Sequence, residues 1–151
     1  MNKQIENLKR TRAFVLDAIK EINVDQWNKV PNGFNNNIAW NIGHMCATMQ
    51  GICYSRAGLL PIIDEKWILP YKSGTKPEKE LSTEEVEELK LLFLSVVEAL
   101  ENDYNNQKFI NYNSWTNRYK IELTTFEEAL DFMLYHEGLH FGAIMALKKL
   151  V

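Results

Sequence analysis

The fold follows most directly from residues 124–151, which read TTFEEALDFMLYHEGLHFGAIMALKKLV. Thr124 or Thr125 can cap a helix there, because a hydroxyl at the N-cap accepts a hydrogen bond from a free backbone N–H of the first turn. Apolar residues then recur at intervals of three or four, as one buried face of a helix requires. The pattern predicts a long helix that runs almost to Val151. Its buried stripe comprises Phe126, Ala129, Met133, Ala143 and Leu147, with His136 and His140 among them.

Three further segments show the same helical spacing of apolar residues. Asn36 or Asn37 can cap the second of the four helices, and Ser82 or Thr83 can cap the third. An alternating pattern at residues 119–123 could form one short strand, but no series of strands accompanies it. The predicted helices span about residues 3–22, 36–58, 83–104 and 125–151.

Four such helices in a chain of this length predict an all-α fold, with residues 1–151 forming a single four-helix-bundle domain. The connection between the second and third helices, residues 59–82, is long enough to span the bundle. Those two helices could therefore be parallel.

Composition argues against several classes of function. The chain has 17 Lys and Arg against 20 Asp and Glu, and its net charge is -3. The basic residues are scattered, which disfavours nucleic-acid binding, since phosphate contacts need clustered Lys and Arg. No apolar run approaches the roughly 20 residues of a membrane-spanning helix, and no signal-peptide region precedes the first helix, so a cytoplasmic location is predicted. Cys46 and Cys53 are predicted to be reduced and buried, because seven helical residues separate them by about 10 Å.

The chain has only three histidines, His44, His136 and His140. The last two lie one helical turn apart on the buried stripe of the fourth helix, so their nitrogens need partners. Three neutral imidazoles can bind one divalent metal ion and leave a coordination position open. Core histidines that bond to carbonyls and hydroxyls are the alternative interpretation.

The second helix supports a role for His44. Residues 36–55 contain no Asp, Glu, Lys or Arg, although an ordinary surface helix would show charges. Its polar side chains form one narrow stripe, which either faces solvent or lines a partly enclosed polar cavity. The stripe consists of Asn37, Asn41, His44, Thr48 and Ser55.

Residues 136–140, HEGLH, also fit the HExxH pattern in which Glu is the general base of a zinc hydrolase. Glu137 is accordingly a candidate catalytic residue. The pattern is weak here, because no third ligand follows it and Ala143 and Ala146 occupy the positions where one is usual. A solvated or capping role for Glu137 is the alternative.

Taken together, residues 37–44, NIAWNIGH, and the pair His136 and His140 resemble the DinB-like superfamily of four-helix bundles, also called damage-inducible or YfiT-like proteins. The resemblance covers the whole chain and implies an up-down-down-up bundle. It also implies that His44, His136 and His140 bind a metal ion such as zinc or nickel. An Arg-Gly-Gln sequence usually follows the last histidine in that family, whereas this chain has FGA at residues 141–143, so two polar groups are missing.

Some relatives in that family are S-transferases or isomerases that use low-molecular-weight thiols. The first functional hypothesis is therefore a metal-dependent enzyme, either a hydrolase or such a thiol transferase, that acts on a small molecule. The alternative is a non-catalytic, metal-binding, dimeric stress-response protein. Imidazole ligands suit zinc or nickel, and iron, manganese or copper is also compatible.

A homodimer is predicted on two grounds. The resemblance implies frequent homodimers, and the third helix is apolar nearly all round in its middle, which indicates burial on two sides. Leu91, Leu92 and Leu94 are the candidate interface residues. The long connections could instead cover that surface within one chain.

Overall fold

Five α-helices and a small hairpin make up residues 2–151, which are the residues that the computed structural model describes. The predicted all-α class is confirmed. The helices are α1 Lys3–Ala18, α2 Val24–Asn28, α3 Ile38–Met49, α4 Thr83–Asn105 and α5 Phe126–Lys148, and the strands are β1 Trp115–Thr116 and β2 Glu122–Leu123.

Polar side chains fix the starts of the long helices where the sequence predicts them. Asn37 caps α3 and its side chain accepts a hydrogen bond from the N–H of Trp40. Ser82 caps α4, and Thr125 caps α5, each within a capping box. Such a cap satisfies a free N–H and stabilises a helix by about 1 kcal/mol.

The first helix is shorter than predicted. It ends at Ala18, and a separate short helix, α2, follows in the stretch that had no predicted helix. Asn23 and Gln26 form a capping box that starts α2, and the turn brings Trp27 fully into the core. The sequence contains this capping signal, but the apolar pattern that follows it is too short to predict a helix.

The second predicted helix does extend to the neighbourhood of Gly58, although not as one regular helix. After α3 the chain continues as a π-helix over Gln50–Tyr54 and then as a 3₁₀ turn over Ser55–Ala57. Gly58 ends it with a φ of 75°, a left-handed conformation that glycine adopts without strain.

Contacts between helices give their relative directions. The contacts show that α1 runs parallel to α5 and that α3 runs parallel to α4. They also show that α1 is antiparallel to α4 and that α3 is antiparallel to α5. These directions agree with the up-down-down-up order. Gln4–Asp131 and Arg12–Glu137 join α1 to α5, and Lys9–Glu101 and Arg12–Phe93 join α1 to α4. Asn41–His140 and His44–His136 join α3 to α5. Met45 and Phe93, both bonded to Arg12, and the pair Tyr54–Asp103 relate α3 and the π-helix after it to α4.

The structure also bears on the smaller predictions for the cysteines, the short strand and the outer face of α4. Cys46 and Cys53 are free and buried, as predicted. The predicted strand segment contains β2, which pairs antiparallel with β1. Leu91 on α4 is 72% exposed, so the connections of this chain do not cover it. Within residues 2–151, no helix is long and apolar enough to cross a membrane.

Candidate metal centre

The structure brings His44, His136 and His140 together between α3 and α5. One ring nitrogen from each histidine lies within 4.8 Å of the corresponding nitrogens of the other two. The three pairs of ring centroids are 4.5 to 5.1 Å apart. Because α3 and α5 cross with their middles in contact, His44 in the middle of α3 meets His136 and His140 in the middle of α5. We call these three side chains the histidine cluster.

His44 has a fixed orientation and tautomer. Its Nδ1 lies 2.7 Å from the carbonyl oxygen of Tyr71, and since a carbonyl only accepts hydrogen bonds, Nδ1 carries the proton. The Nε2 lone pair therefore faces the cluster, where the hydroxyl of Thr48 lies 3.3 Å away. The indole of Trp40 stacks on the imidazole, with centroids 4.6 Å apart and planes 10° apart.

A close backbone approach makes the Tyr71 contact possible. The ring of Tyr71 packs directly on Gly43, and a Cβ added to Gly43 would lie 2.3 Å from that ring. Any side chain at this position would push the connection containing Tyr71 away from α3. Gly43 thus allows the connection to bring its carbonyl to His44.

His140 is oriented in a similar way by an amide. Its Nδ1 lies 2.8 Å from Oδ1 of Asn41. The Nδ2 of Asn41 donates to Asn36 and to the carbonyl of Asn37, so its oxygen is left to face the imidazole. The Nδ1 of His140 is therefore the protonated nitrogen, and Nε2 keeps its lone pair. Partners of this kind set the tautomer of metal-binding histidines.

His136 has one ring nitrogen that the described residues leave without a partner. Its Nε2 lies 3.2 Å from the Nε2 of His44, which is an acceptor. Its Nδ1 is buried and has no hydrogen-bond partner among the described residues. A core histidine would have both nitrogens paired. By contrast, two nitrogens about 3.2 Å apart suit a shared ion with Zn–N distances of about 2.0–2.1 Å.

The cluster favours neutral imidazoles. Burial lowers the pKa of His136 to about 3, with further lowering from its histidine neighbours. Burial likewise lowers the pKa of His140 to about 4 and also lowers the pKa of His44. Neutral imidazole is the form that binds a metal, so near pH 7 no proton has to leave the rings first.

Arg118 is a neighbour that the sequence did not reveal. It is exposed in the turn between β1 and β2, and its positive charge contributes to the lowered pKa of each histidine, after burial. The adjacent Tyr119 packs against Tyr135 on α5, which brings the turn to this end of the bundle. No sequence signal links position 118 to the histidines, because only the folded hairpin makes them neighbours.

The structure overturns the solvated alternative for Glu137. The side chain is 1% exposed, so it is neither solvated nor a cap. Its two oxygens accept from the guanidinium of Arg12, at 2.5 to 3.2 Å. Arg12 also donates to the carbonyls of Phe93 and Met45. Burial raises the pKa of Glu137, and Arg12 opposes that effect. Glu137 is therefore a bonded core residue, and its role as a general base stays a prediction.

The polar stripe of the second predicted helix is buried. Asn37, Asn41 and His44 are at most 5% exposed. Of the two interpretations of the stripe, a solvent-facing surface is therefore wrong for these three residues. Their side chains instead hold the cluster and the N-terminus of α3.

Comparison with known families agrees with this geometry. A match to the DinB superfamily covers residues 7–144, which is nearly the whole chain and includes all three histidines. The chain belongs to the DinB superfamily. A search of curated proteins found no match. The predicted DinB-like resemblance is thus confirmed, and the histidine cluster is compatible with the metal-binding role that it implied.

Proposed function

We propose that His44, His136 and His140 bind one divalent metal ion and that this DinB protein is a metal-dependent enzyme acting on a small molecule. The observation that carries the proposal is the approach of the Nε2 atoms of His44 and His136 to 3.2 Å, beside a His136 Nδ1 that has no partner among residues 2–151. The protein fixes the protonated nitrogen of His44 and of His140 on the far side of each ring, so lone pairs converge where a ligand is missing. Zinc and nickel are the proposed ions, because both accept imidazole ligands.

An ion held by three imidazoles supplies a Lewis acid that lowers the pKa of a coordinating water or thiol. The chain's own residues complete the site around that position. Trp40 stacks on His44 and keeps its ring in one orientation. The hydroxyl of Thr48 lies 3.3 Å from the Nε2 of His44. The charge of Arg118 favours an anionic reactant near the cluster.

Thiol transfer is the reaction that these residues support best. Activation of water is commonly assisted by a carboxylate base, but among residues 2–151 no Asp or Glu joins the cluster, and Glu137 is bound to Arg12. A thiol held by such an ion would have a lowered pKa and would lose its proton to solvent, so it would need no such base. We therefore propose an S-transferase that uses a low-molecular-weight thiol, with metal-dependent hydrolysis as the competing reaction.

The test uses untagged protein that is stripped with a chelator and reloaded with zinc or nickel. Metal content is measured first. Low-molecular-weight thiols are then offered with 1-chloro-2,4-dinitrobenzene, and p-nitrophenyl acetate is offered without a thiol. Metal-dependent consumption of the thiol supports the transferase, and ester cleavage alone supports the hydrolase. Metal binding without turnover points to the non-catalytic alternative, and failure to bind metal contradicts the proposal.

We also propose that the protein is a homodimer that buries the outer face of α4. Leu91 is 72% exposed on that face, and Leu92 and Leu94 beside it are only partly buried. Light scattering at micromolar concentration tests the assembly. Leu91→Lys should shift a dimer toward monomer, since a charge would be buried in the interface. A monomeric parent protein contradicts the proposal.

A further inference from the structure

A cavity of about 700 Å³ lies beside the histidine cluster. Its volume falls within the range of pockets that bind small molecules, about 300–1,000 Å³. The end of α3, the π-helix and the connection after it form its walls, and β1 closes one side. Residues that define it include Thr48, Gln50, Gly51, Ile68, Leu69 and Trp115.

A single layer of side chains on one side separates the cavity from the histidine cluster. Thr48 lines the cavity, and its hydroxyl lies 3.3 Å from the Nε2 of His44. On the other side, Trp115 lines the cavity and packs edge-on against Phe132, whose ring centroid lies 6.2 Å from that of His136. A molecule in the cavity would therefore lie one side chain away from the nitrogens of the cluster.

The walls are mainly apolar, and part of that apolar surface faces water. Leu60 is 86% exposed and Leu69 is 52% exposed, and both line the cavity. Contact with an apolar molecule would remove such surface from water, which is favourable by about 25 cal/mol per Å². The concave shape and the position beside the cluster favour a small molecule over a flat protein surface as the occupant.

The π-helix gives this wall its shape. Gly51 and Ser55 line the cavity, whereas Cys53 and Tyr54 between them are buried in the core. A π-turn inserts one residue into a helix, and such turns are frequent at functional sites. Gly51 leaves open space, since no atom lies within 4 Å of a Cβ placed there.

Gln50 is a buried polar residue of this wall. It is 1% exposed, and its Oε1 accepts from the N–H of Ile62 at 2.9 Å. Its Nε2 is buried and has no partner among residues 2–151. A buried donor without a partner costs about 1–3 kcal/mol. The oxygen of a bound molecule is the kind of partner that this amide lacks.

We propose that the cavity binds the substrate of the enzyme, and that this substrate is a neutral, apolar small molecule with a carbonyl-type oxygen. The apolar body lies against Leu60, Leu69 and Trp115, and Gln50 donates to the oxygen. The reacting end points past Thr48 toward the histidine cluster. This inference rests on the proposed function for its reaction, but binding in the cavity can be measured without turnover.

Two neutral fluorescent probes test the binding. Prodan has a naphthalene body and a carbonyl oxygen, and N-phenyl-1-naphthylamine has a similar body without the carbonyl. Gly51→Phe adds a ring to the cavity wall at a position where a Cβ has no atom within 4 Å. The matched control is Gly138→Phe, since Gly138 is exposed on the opposite face of α5 and also has open space around it. Gly51→Phe should weaken the binding of both probes by on the order of tenfold or more, whereas the control should leave their binding unchanged.

Gln50→Leu tests the role of the amide. It should weaken prodan by roughly 3- to 10-fold, the worth of one hydrogen bond, and leave naphthylamine binding unchanged. Unchanged naphthylamine binding would show that the cavity remains intact. If Gln50→Leu weakens the binding of both probes equally, the role of Gln50 is overturned. If Gly51→Phe binds the probes normally, or if probe binding depends on dimer formation, the cavity proposal is overturned. Metal content is measured in parallel, so that probe binding by a protein that takes up no metal contradicts the proposed function alone.

Discussion

Two buried polar clusters lie side by side in the bundle, and they differ in how completely the protein satisfies them. His136 and Glu137 are adjacent on α5, yet they belong to different clusters. Each guanidinium nitrogen of Arg12 has a partner, and both oxygens of Glu137 are bonded. In the histidine cluster, Nδ1 of His136 has no partner among the residues that the structure describes, and its Nε2 faces the acceptor Nε2 of His44.

This difference separates a structural role from a binding role. A fully bonded buried ion pair holds four helices together and leaves nothing for a ligand to complete. A cluster that leaves a buried nitrogen without a partner is incomplete until something binds. The predictions below test this contrast from the largest expected effect to the smallest.

Glu137→Leu should destabilise the fold most, because it leaves Arg12 charged and buried without a counter-charge. The expected loss in the free energy of unfolding is about 3–5 kcal/mol, measured by urea denaturation followed by circular dichroism. The control is the double variant Arg12→Met with Glu137→Leu, which should recover most of that loss because apolar side chains of similar size can replace a buried ion pair. A single variant within about 1 kcal/mol of the parent would contradict the structural role.

His136→Ala should have the opposite effect, a large loss of metal binding and a small loss of stability. Metal content should fall to a small fraction of the parent's, since two imidazoles hold an ion poorly. The metal-free variant should stay folded and lose less than about 2 kcal/mol, because the apolar core is untouched and an unsatisfied polar ring is removed. Elemental analysis and circular dichroism measure the two effects. An unfolded variant, together with a parent that binds no metal, would make the histidines structural.

Asn41→Leu should weaken the metal site without removing a ligand. Asn41 fixes the tautomer of His140 by accepting from its Nδ1. Loss of such a partner typically lowers metal affinity by about 10- to 100-fold, which a competition titration with a chelating dye can measure. Thr83→Val on the exposed first turn of α4 is a control that should leave affinity unchanged. Equal affinity in Asn41→Leu and the parent would show that the amide does not orient the ring.

Acid should destabilise the metal-free protein through the histidine cluster. The pKa of His136 falls from 6.5 to about 3 on folding, and that of His140 to about 4. Below pH 6.5 the unfolded chain therefore takes up protons that the folded protein does not. The free energy of unfolding should fall between about pH 6.5 and pH 4, by up to about 1.4 kcal/mol per pH unit for each histidine.

Urea denaturation at several pH values, with a chelator present, measures this slope. Carboxylates elsewhere in the protein also contribute to acid destabilisation, so the comparison is with His136→Gln, which lacks one of the titrating groups. Its slope should be shallower over that range. Identical slopes in the two proteins would show that His136 does not gain its low pKa by folding.

Local signals in the sequence account for the parts that were predicted well. Asn37, Ser82 and Thr125 cap the helices at the predicted places, because a cap depends on a side chain and the backbone next to it. The histidine cluster also follows from periodicity, since His136 and His140 lie on one stripe. The place of His44 needed the further step that α3 packs on α5.

The remainder depends on contacts between distant segments. Arg12 continues the buried stripe of Leu8 and Val15, and Glu137 lies on a line with Met133 and Ile144, so both positions carried a signal of burial. Their pairing was not visible, because the two residues are 125 positions apart. The π-helix and the position of Arg118 gave no periodic pattern at all, and the partner of His44 is a backbone carbonyl, which any residue provides.

That carbonyl has a consequence for how substitutions act on the protein. Replacing Tyr71 by another residue removes a side chain but leaves the oxygen that bonds to His44. Replacing Gly43 removes no atom of that contact, yet any side chain there meets the ring of Tyr71 and displaces the connection. Substitutions are therefore tolerated least at Gly43, which permits the hydrogen bond, and more at Tyr71, whose carbonyl accepts it. A scan of single substitutions would place the bond at Gly43, one position from the histidine and 28 positions from the acceptor residue.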